Sequence, residues 1–303
     1  MSLRFEGTYT AIITPFRDGA TDAQRTIDWD AYDRLVKAQI DGGIDGIVPC
    51  GTTGESPTLD HEEQLELVKR TVKLCAGTTC IVLAGTGTNS TRSTIALSQA
   101  AERAGASGVM VVVPYYSKPT QEGLRAHYVA VAASVKCPLV VYNIPGRSGI
   151  DLTADTLAKI AEAAPNVIAT KEATGNVVRA MEIVRLMGDR MTVLSGDDSL
   201  TLPMIAVGAR GVISVTANVY PAEVARTTRL ALDGKLEEAR REHLALCRVH
   251  EIMFVEANPS PAKAALAHKL KISEAVRGPL LAISDGARAK VLAVLQAYEA
   301  GRG

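Results

Sequence analysis

Gly108-Val109-Met110-Val111-Val112-Val113-Pro114 is an apolar run with no polar residue at alternate positions. A strand with one wet face would show that alternation, so this one is expected to be covered on both faces, as in a parallel sheet flanked by helices. Its length suits a strand and is too short to cross a bilayer. Seven further runs share its character: YTAIITP (9–15), IDGIVPC (44–50), CIVLAGT (80–86), PLVVYNI (138–144), NVIATKE (166–172), MTVLSG (191–196) and GVISVTA (211–217). They recur about every 20 to 30 residues, separated by helix-period segments such as HEEQLELVKRTVKL from 61 and TADTLAKIAEAA from 153. Asp60 and Glu63 form a capping-box pattern at the start of the first of these segments.

Eight such βα units within about 220 residues predict an α/β protein with a closed (β/α)8 TIM barrel rather than an open doubly wound sheet. No GxGxxG turn follows the first strand, which further weakens a dinucleotide-binding reading. Strand signals stop near 220, and the remainder reads as helical hairpins. The expected organisation is a catalytic barrel over 1–220 and a C-terminal helical extension over 221–303.

The 303 residues are 47% hydrophobic and 4% aromatic, enough for one large barrel domain. Lys+Arg and Asp+Glu each number 33, so the net charge is zero and no nucleic-acid-binding surface is expected. The cysteines Cys50, Cys75, Cys80, Cys137 and Cys247 are odd in number and lack CxxC spacing, as expected of buried thiols in a reducing compartment. The N-terminus MSLRFEGTYT has no basic region followed by an apolar stretch. Neither a signal peptide nor a membrane span is expected, and the location expected is cytoplasmic.

In a barrel, chemistry sits where strands end and loops begin. Lys171 closes the run Val167-Ile168-Ala169-Thr170. A cation at the tip of a buried strand is costly unless paired or neutral, and a neutral amine is a nucleophile for carbonyl carbon. The plainer reading pairs Lys171 with a carboxylate such as Glu172. Gly51-Thr52-Thr53-Gly54-Glu55-Ser56 follows the second strand and can turn its N–H groups and two hydroxyls inward as a nest for a carboxylate; a tight turn would look the same. Tyr142 and the tandem Tyr115-Tyr116 end two more strands. Phenols there can relay protons or pack as a lid. Arg147, in NIPGRSG (143–149), offers a planar fork for a carboxylate, although a solvated arginine is the default at such a place. Two acids in Ser195-Gly196-Asp197-Asp198 repel phosphate and argue against pyridoxal phosphate and sugar phosphates. His243, Cys247 and His250 share a helix face, but amphipathic spacing explains them and no fourth ligand is evident, so no metal is expected.

Taken jointly, GTTGES (51–56), PYYSKPTQEG (114–123), YNIPGRSG (142–149), KEATGN (171–176), SGDD (195–198) and GVISVTANV (211–219) resemble the dihydrodipicolinate synthases, a branch of the N-acetylneuraminate lyase superfamily. The resemblance runs from about residue 5 to 290. It implies a lysine-dependent aldolase that condenses pyruvate with L-aspartate 4-semialdehyde to 4-hydroxy-tetrahydrodipicolinate, in the diaminopimelate route of lysine biosynthesis. Lys171 would form the imine with pyruvate. Thr52, Tyr142 and Tyr116 would relay protons, with Tyr116 reaching a neighbouring subunit's site. Thr53 would hold the pyruvate carboxylate and Arg147 that of the semialdehyde, while Gly196 and Ile213 would line the site. The resemblance also implies a homotetramer built as a dimer of dimers, with no metal or organic cofactor.

Neuraminate lyases resemble the chain at the lysine and the glycine loop, but generally begin that loop GSTGE and lack an arginine at the place of Arg147. GTTGE and Arg147 therefore favour the synthase branch over the neuraminate lyases, and the alternative is another pyruvate aldolase or dehydratase of the superfamily, acting on sialic acid, a keto-deoxy sugar acid or a hydroxyproline-derived imino acid. Ser56, His61, Asn89 and Tyr115 match positions of lysine-sensitive members. Gln64 and Ser93 depart from the His and Glu often found there, so weak or absent inhibition by lysine is expected. A catalytically silent barrel that merely binds a keto acid is the other class of reading; it would gain nothing from a buried amine.

Overall fold

A computed structural model describes residues 4–302. The strands β1 (Gly7–Ala11), β2 (Gly46–Val48), β3 (Ile81–Gly85), β4 (Gly108–Val112), β5 (Leu139–Asn143), β6 (Val167–Glu172), β7 (Thr192–Ser195) and β8 (Gly211–Ser214) pair in sequence order, and β8 returns to β1. Every pairing is parallel, and the barrel is closed.

Both faces of each strand are covered, for different reasons. Val109 and Val111 of β4 join the apolar layer between sheet and helices, whereas Met110 joins an inner core with Tyr9, Leu83, Val140, Ala169, Leu194 and Ile213. The unbroken apolar run at 108–113 is the sum of these two alternating sets. Gly46 illustrates how tightly the inner set is packed. It stands in register with Tyr9, and a Cβ there would lie 2.4 Å from that ring.

Apolar runs overshoot the ladders they announce. β1 begins two residues before the run at 9–15 and ends at Ala11. Ile12 and Ile13 stay buried, but their N–H groups donate to Val48 O at 3.2 Å and to Asn218 Oδ1 at 3.0 Å. Burial thus continues into the barrel mouth after regular pairing has stopped. The capping box at the helix His61–Cys75 is present, with Asp60 and Glu63 bonding reciprocally.

The break placed at 220 falls between β8 and its own helix. Pro221–Leu232 packs against β1, β8 and the helix Trp29–Asp41, and completes the ring of barrel helices. The strand signal ends at β8, yet a βα unit ends only with its helix. The helices Leu236–Ile252, Ser260–Leu270 and Asp285–Ala300 follow. Among the described residues, no helix is long and apolar enough to cross a membrane.

Gly46→Ala is expected to cost about 1–3 kcal/mol through overpacking against Tyr9. Urea unfolding should show a lower midpoint at unchanged slope.

Candidate active site

The register of β5 and β6 sets Tyr142 beside Lys171. The Lys171 amine lies 4.2 Å from the centre of the Tyr142 ring. Strand alternation sends the next residue the other way. Glu172 accepts from Thr174 N at 2.9 Å and lies 3.8 Å from Arg179 Nε. Among the described residues, no carboxylate pairs with Lys171, so the salt-bridge reading of this position fails. Lys171 is 6% exposed. Burial pushes its amine down to about 8, opposed by the Asp198 carboxylate and assisted by the positive charge of Arg147. Burial pushes the Tyr142 phenol up to about 12, against the pull of Arg147 and the Thr52 hydroxyl. The amine is thus placed to lose its proton, and the phenol to keep one.

The GTTGES loop caps the mouth beside them. The N–H groups of Thr52 and Thr53 have no acceptor among the described residues, as an anion-binding nest requires. Two residues take left-handed backbone here, Cys50 just before the loop at φ 58° and Glu55 within it at φ 55°. Something must hold that strained turn, and it comes from the far end of the chain. Glu55 is fully buried against Lys263 at 2.5 Å and accepts from Arg277 N at 3.0 Å. Lys263 also donates to Ala275 O at 2.7 Å, and Asn258 Nδ2 donates to Thr53 Oγ1 at 2.9 Å. Asn258, Lys263 and Arg277 went unnoticed in the sequence. They lie over 200 residues away, in the helix Ser260–Leu270 and the non-helical segments on either side of it, and carry no local motif.

Arg147 sits on the short helical turn Pro145–Ser148 after β5, exposed and without a carboxylate partner among the described residues. With Thr52, Ser56, His61, Gln64 and Tyr115 it lines a cavity of about 390 Å³. A small pocket of about 30 Å³ continues from Thr52 down to Tyr142 and Met110. Ile213 faces the inner core, and Gly196 N donates to Glu172 O at 2.8 Å. A Cβ on Gly196 would lie 2.5 Å from that of Ala173. Tyr116 is the outlier. Its ring is 89% exposed on a backbone at φ 72°, outside this chain's own cavity. Asn89 is exposed and does not line the cavity either, although Ser56, His61 and Tyr115 do.

Asp198 does not face the open mouth as a phosphate-repelling acid would. It accepts from Ser214 Oγ, from Val215 N at 2.9 Å and from Thr216 N at 3.1 Å, tying the end of β7 to the end of β8. Thr216 Oγ1 in turn meets His250 Nδ1 at 2.9 Å, and His243 Nε2 meets Ser199 O at 3.0 Å. These two histidines serve packing. Among the described residues, no group of three or more His, Cys, Asp or Glu could hold a metal ion.

A closed barrel whose mouth gathers a buried amine, a phenol, an anion nest and a free arginine defines an enzyme of the TIM-barrel type with its site at the strand C-termini. The sequence profile of the dihydrodipicolinate synthetase family matches residues 4–298. A 4-hydroxy-tetrahydrodipicolinate synthase of Sorangium cellulosum is 53% identical over 99% of this chain and 98% of its own. One from Geobacter sulfurreducens is 48% identical over 97% and 99%. The crystal structure of dihydrodipicolinate synthase from Aquifex aeolicus superposes with a TM-score of 0.93 at 43% identity, covering 97% of this chain and 98% of that one. The chain belongs to the dihydrodipicolinate synthetase family.

With an amine at about 8, roughly one molecule in ten carries neutral Lys171 at pH 7. The rate of adduct formation with a keto acid should therefore rise about tenfold per pH unit below pH 8 and level off above it. Stopped-flow trapping across pH 6–9 checks this; a flat profile through that range contradicts the assigned amine.

Proposed function

We propose that the chain is a lyase that condenses pyruvate with L-aspartate 4-semialdehyde to 4-hydroxy-tetrahydrodipicolinate, through an imine on Lys171. The observation that carries this reading is the Lys171 amine, buried without a carboxylate partner among the described residues and set over the Tyr142 ring at the barrel mouth. Neutral Nζ adds to pyruvate C2, and loss of water leaves an iminium. The iminium withdraws electrons, so a methyl proton departs and an enamine forms. The enamine carbon attacks the aldehyde carbon. The semialdehyde's own amine then displaces Lys171 from C2 and closes the six-membered ring. The imine itself is the electron sink, so the reaction calls for no metal or organic cofactor.

Each step moves a proton, and Thr52, Tyr142 and Tyr116 form the relay. Thr52 and Tyr142 stand together in this chain, whereas the exposed Tyr116 ring fits a role in a partner copy's site, within a homotetramer of two tight dimers. Thr53 and its loop amides receive the pyruvate carboxylate. Arg147 receives that of the semialdehyde, and Gly196 and Ile213 shape the floor. That no carboxylate pairs with Arg147 among the described residues favours this branch over aldolases acting on uncharged sugar chains. Inhibition by lysine at Ser56, His61, Asn89 and Tyr115 should be weak. Gln64 spends its amide on Ser56 O and Leu59 O, and neither it nor Ser93 offers charge to an ammonium. The enzyme would work in the cytoplasm.

Borohydride reduction in the presence of pyruvate should leave a stable adduct on the peptide containing Lys171, absent in Lys171→Ala. A modified wild-type peptide elsewhere refutes the assignment. Arg147→Ala should still form that adduct, yet lose about 10- to 100-fold in kcat/KM for the semialdehyde. Full synthase efficiency in that variant would remove the clamp from the mechanism.

A further inference from the structure

We propose that Asn258 is a positioning residue for pyruvate recognition, acting by fixing which way the Thr53 hydroxyl points its proton. The inference rests on the reading that Thr53 receives the pyruvate carboxylate. A threonine hydroxyl has one proton to give and two lone pairs to offer, and it rotates to suit its neighbours. Left alone, it would present either end to the site. Asn258 Nδ2 donates to Thr53 Oγ1 at 2.9 Å, so a lone pair is already engaged. The Thr53 proton finds no acceptor among the described residues, so it remains available as a donor to a bound anion. A hydroxyl held in that sense favours a carboxylate and disfavours a group that itself must donate.

The amide can lie only one way round without greater cost. Asn258 Oδ1 is buried and has no partner. Turning the amide over would put Oδ1 against Thr53 and leave both N–H donors without an acceptor, in place of one N–H and one more readily tolerated oxygen. Asn258 is 5% exposed and Thr53 3%, so bulk water does not compete with this contact. Neither partner can drift. The Thr53 loop is held by Glu55 on Lys263 and on the Arg277 amide, and Asn258 lies immediately before the helix carrying Lys263. Orientation, burial and anchoring therefore coincide at one hydrogen bond.

The test uses Asn258→Ala, Asn258→Asp, Thr53→Val and the double variant Asn258→Ala/Thr53→Val. Steady-state kinetics with both substrates, borohydride trapping and thermal unfolding are measured on each. Asn258→Ala should raise the pyruvate KM about 5- to 10-fold, with kcat and the semialdehyde KM changed less than about threefold. In the Thr53→Val background the same change should add nothing, because Asn258 acts through that hydroxyl. Asn258→Asp keeps the size of the side chain and reverses the bond. Its carboxylate would capture the Thr53 proton and repel the substrate anion, raising the pyruvate KM about 100-fold while saturating pyruvate still yields the Lys171 adduct. That near-isosteric variant carries the test if the alanine variant fails to fold. A wild-type pyruvate KM in folded Asn258→Asp, or an undiminished effect of Asn258→Ala without the Thr53 hydroxyl, overturns the inference and leaves the Thr53 reading standing. A wild-type pyruvate KM in Thr53→Val overturns both.

Discussion

An amine is held buried at the barrel mouth with no carboxylate paired to it among the described residues, and much else in the molecule follows from that constraint. Lys171 reaches this position through register alone, because β5 and β6 align it with Tyr142 while alternation carries Glu172 outward to Thr174 and Arg179. Keeping a charge there would be costly, so the amine is driven toward neutrality and hence toward reactivity. The opposing pull comes from Asp198, whose carboxylate is already committed to three donors at the end of β8. Its field is fixed in place rather than free to close into an ion pair. Stability and reactivity are set against each other at this residue, a compromise common where a fold hosts chemistry.

Much of the architecture was legible because a two-sided buried strand writes an unbroken apolar run, and eight such runs between helical periods leave few alternatives. The errors are equally physical. Burial outlasts pairing at the mouth, so Ile12 and Ile13 read as strand although their amides turn to Val48 and Asn218. The unit boundary near 220 followed the last strand and overlooked that its helix still belongs to the ring. Lys171 and Tyr142 stand out in the sequence because an amine and a phenol are costly residue types to bury at the ends of apolar strands.

Other parts of the site were silent for a different reason. Asn258, Lys263 and Arg277 matter through contacts with residues more than 200 positions earlier, and an isolated polar residue looks like solvated surface until its partner is known. Asp198 was read as a charge facing the substrate because two adjacent acids suggest a field; only the β7–β8 geometry shows that it closes the fold. Tyr116 differs again, since its ring is turned almost wholly out to solvent in a single copy.

The buried pair of Glu55 and Lys263 bears on the order in which the molecule is made. Synthesis proceeds from the N-terminus, so the GTTGES turn leaves the ribosome long before the segment that restrains it. A nascent barrel can have all eight strands in place while this turn still samples other shapes. The GTTGES turn therefore receives its buried counter-ion only after the segment carrying Lys263 has been made.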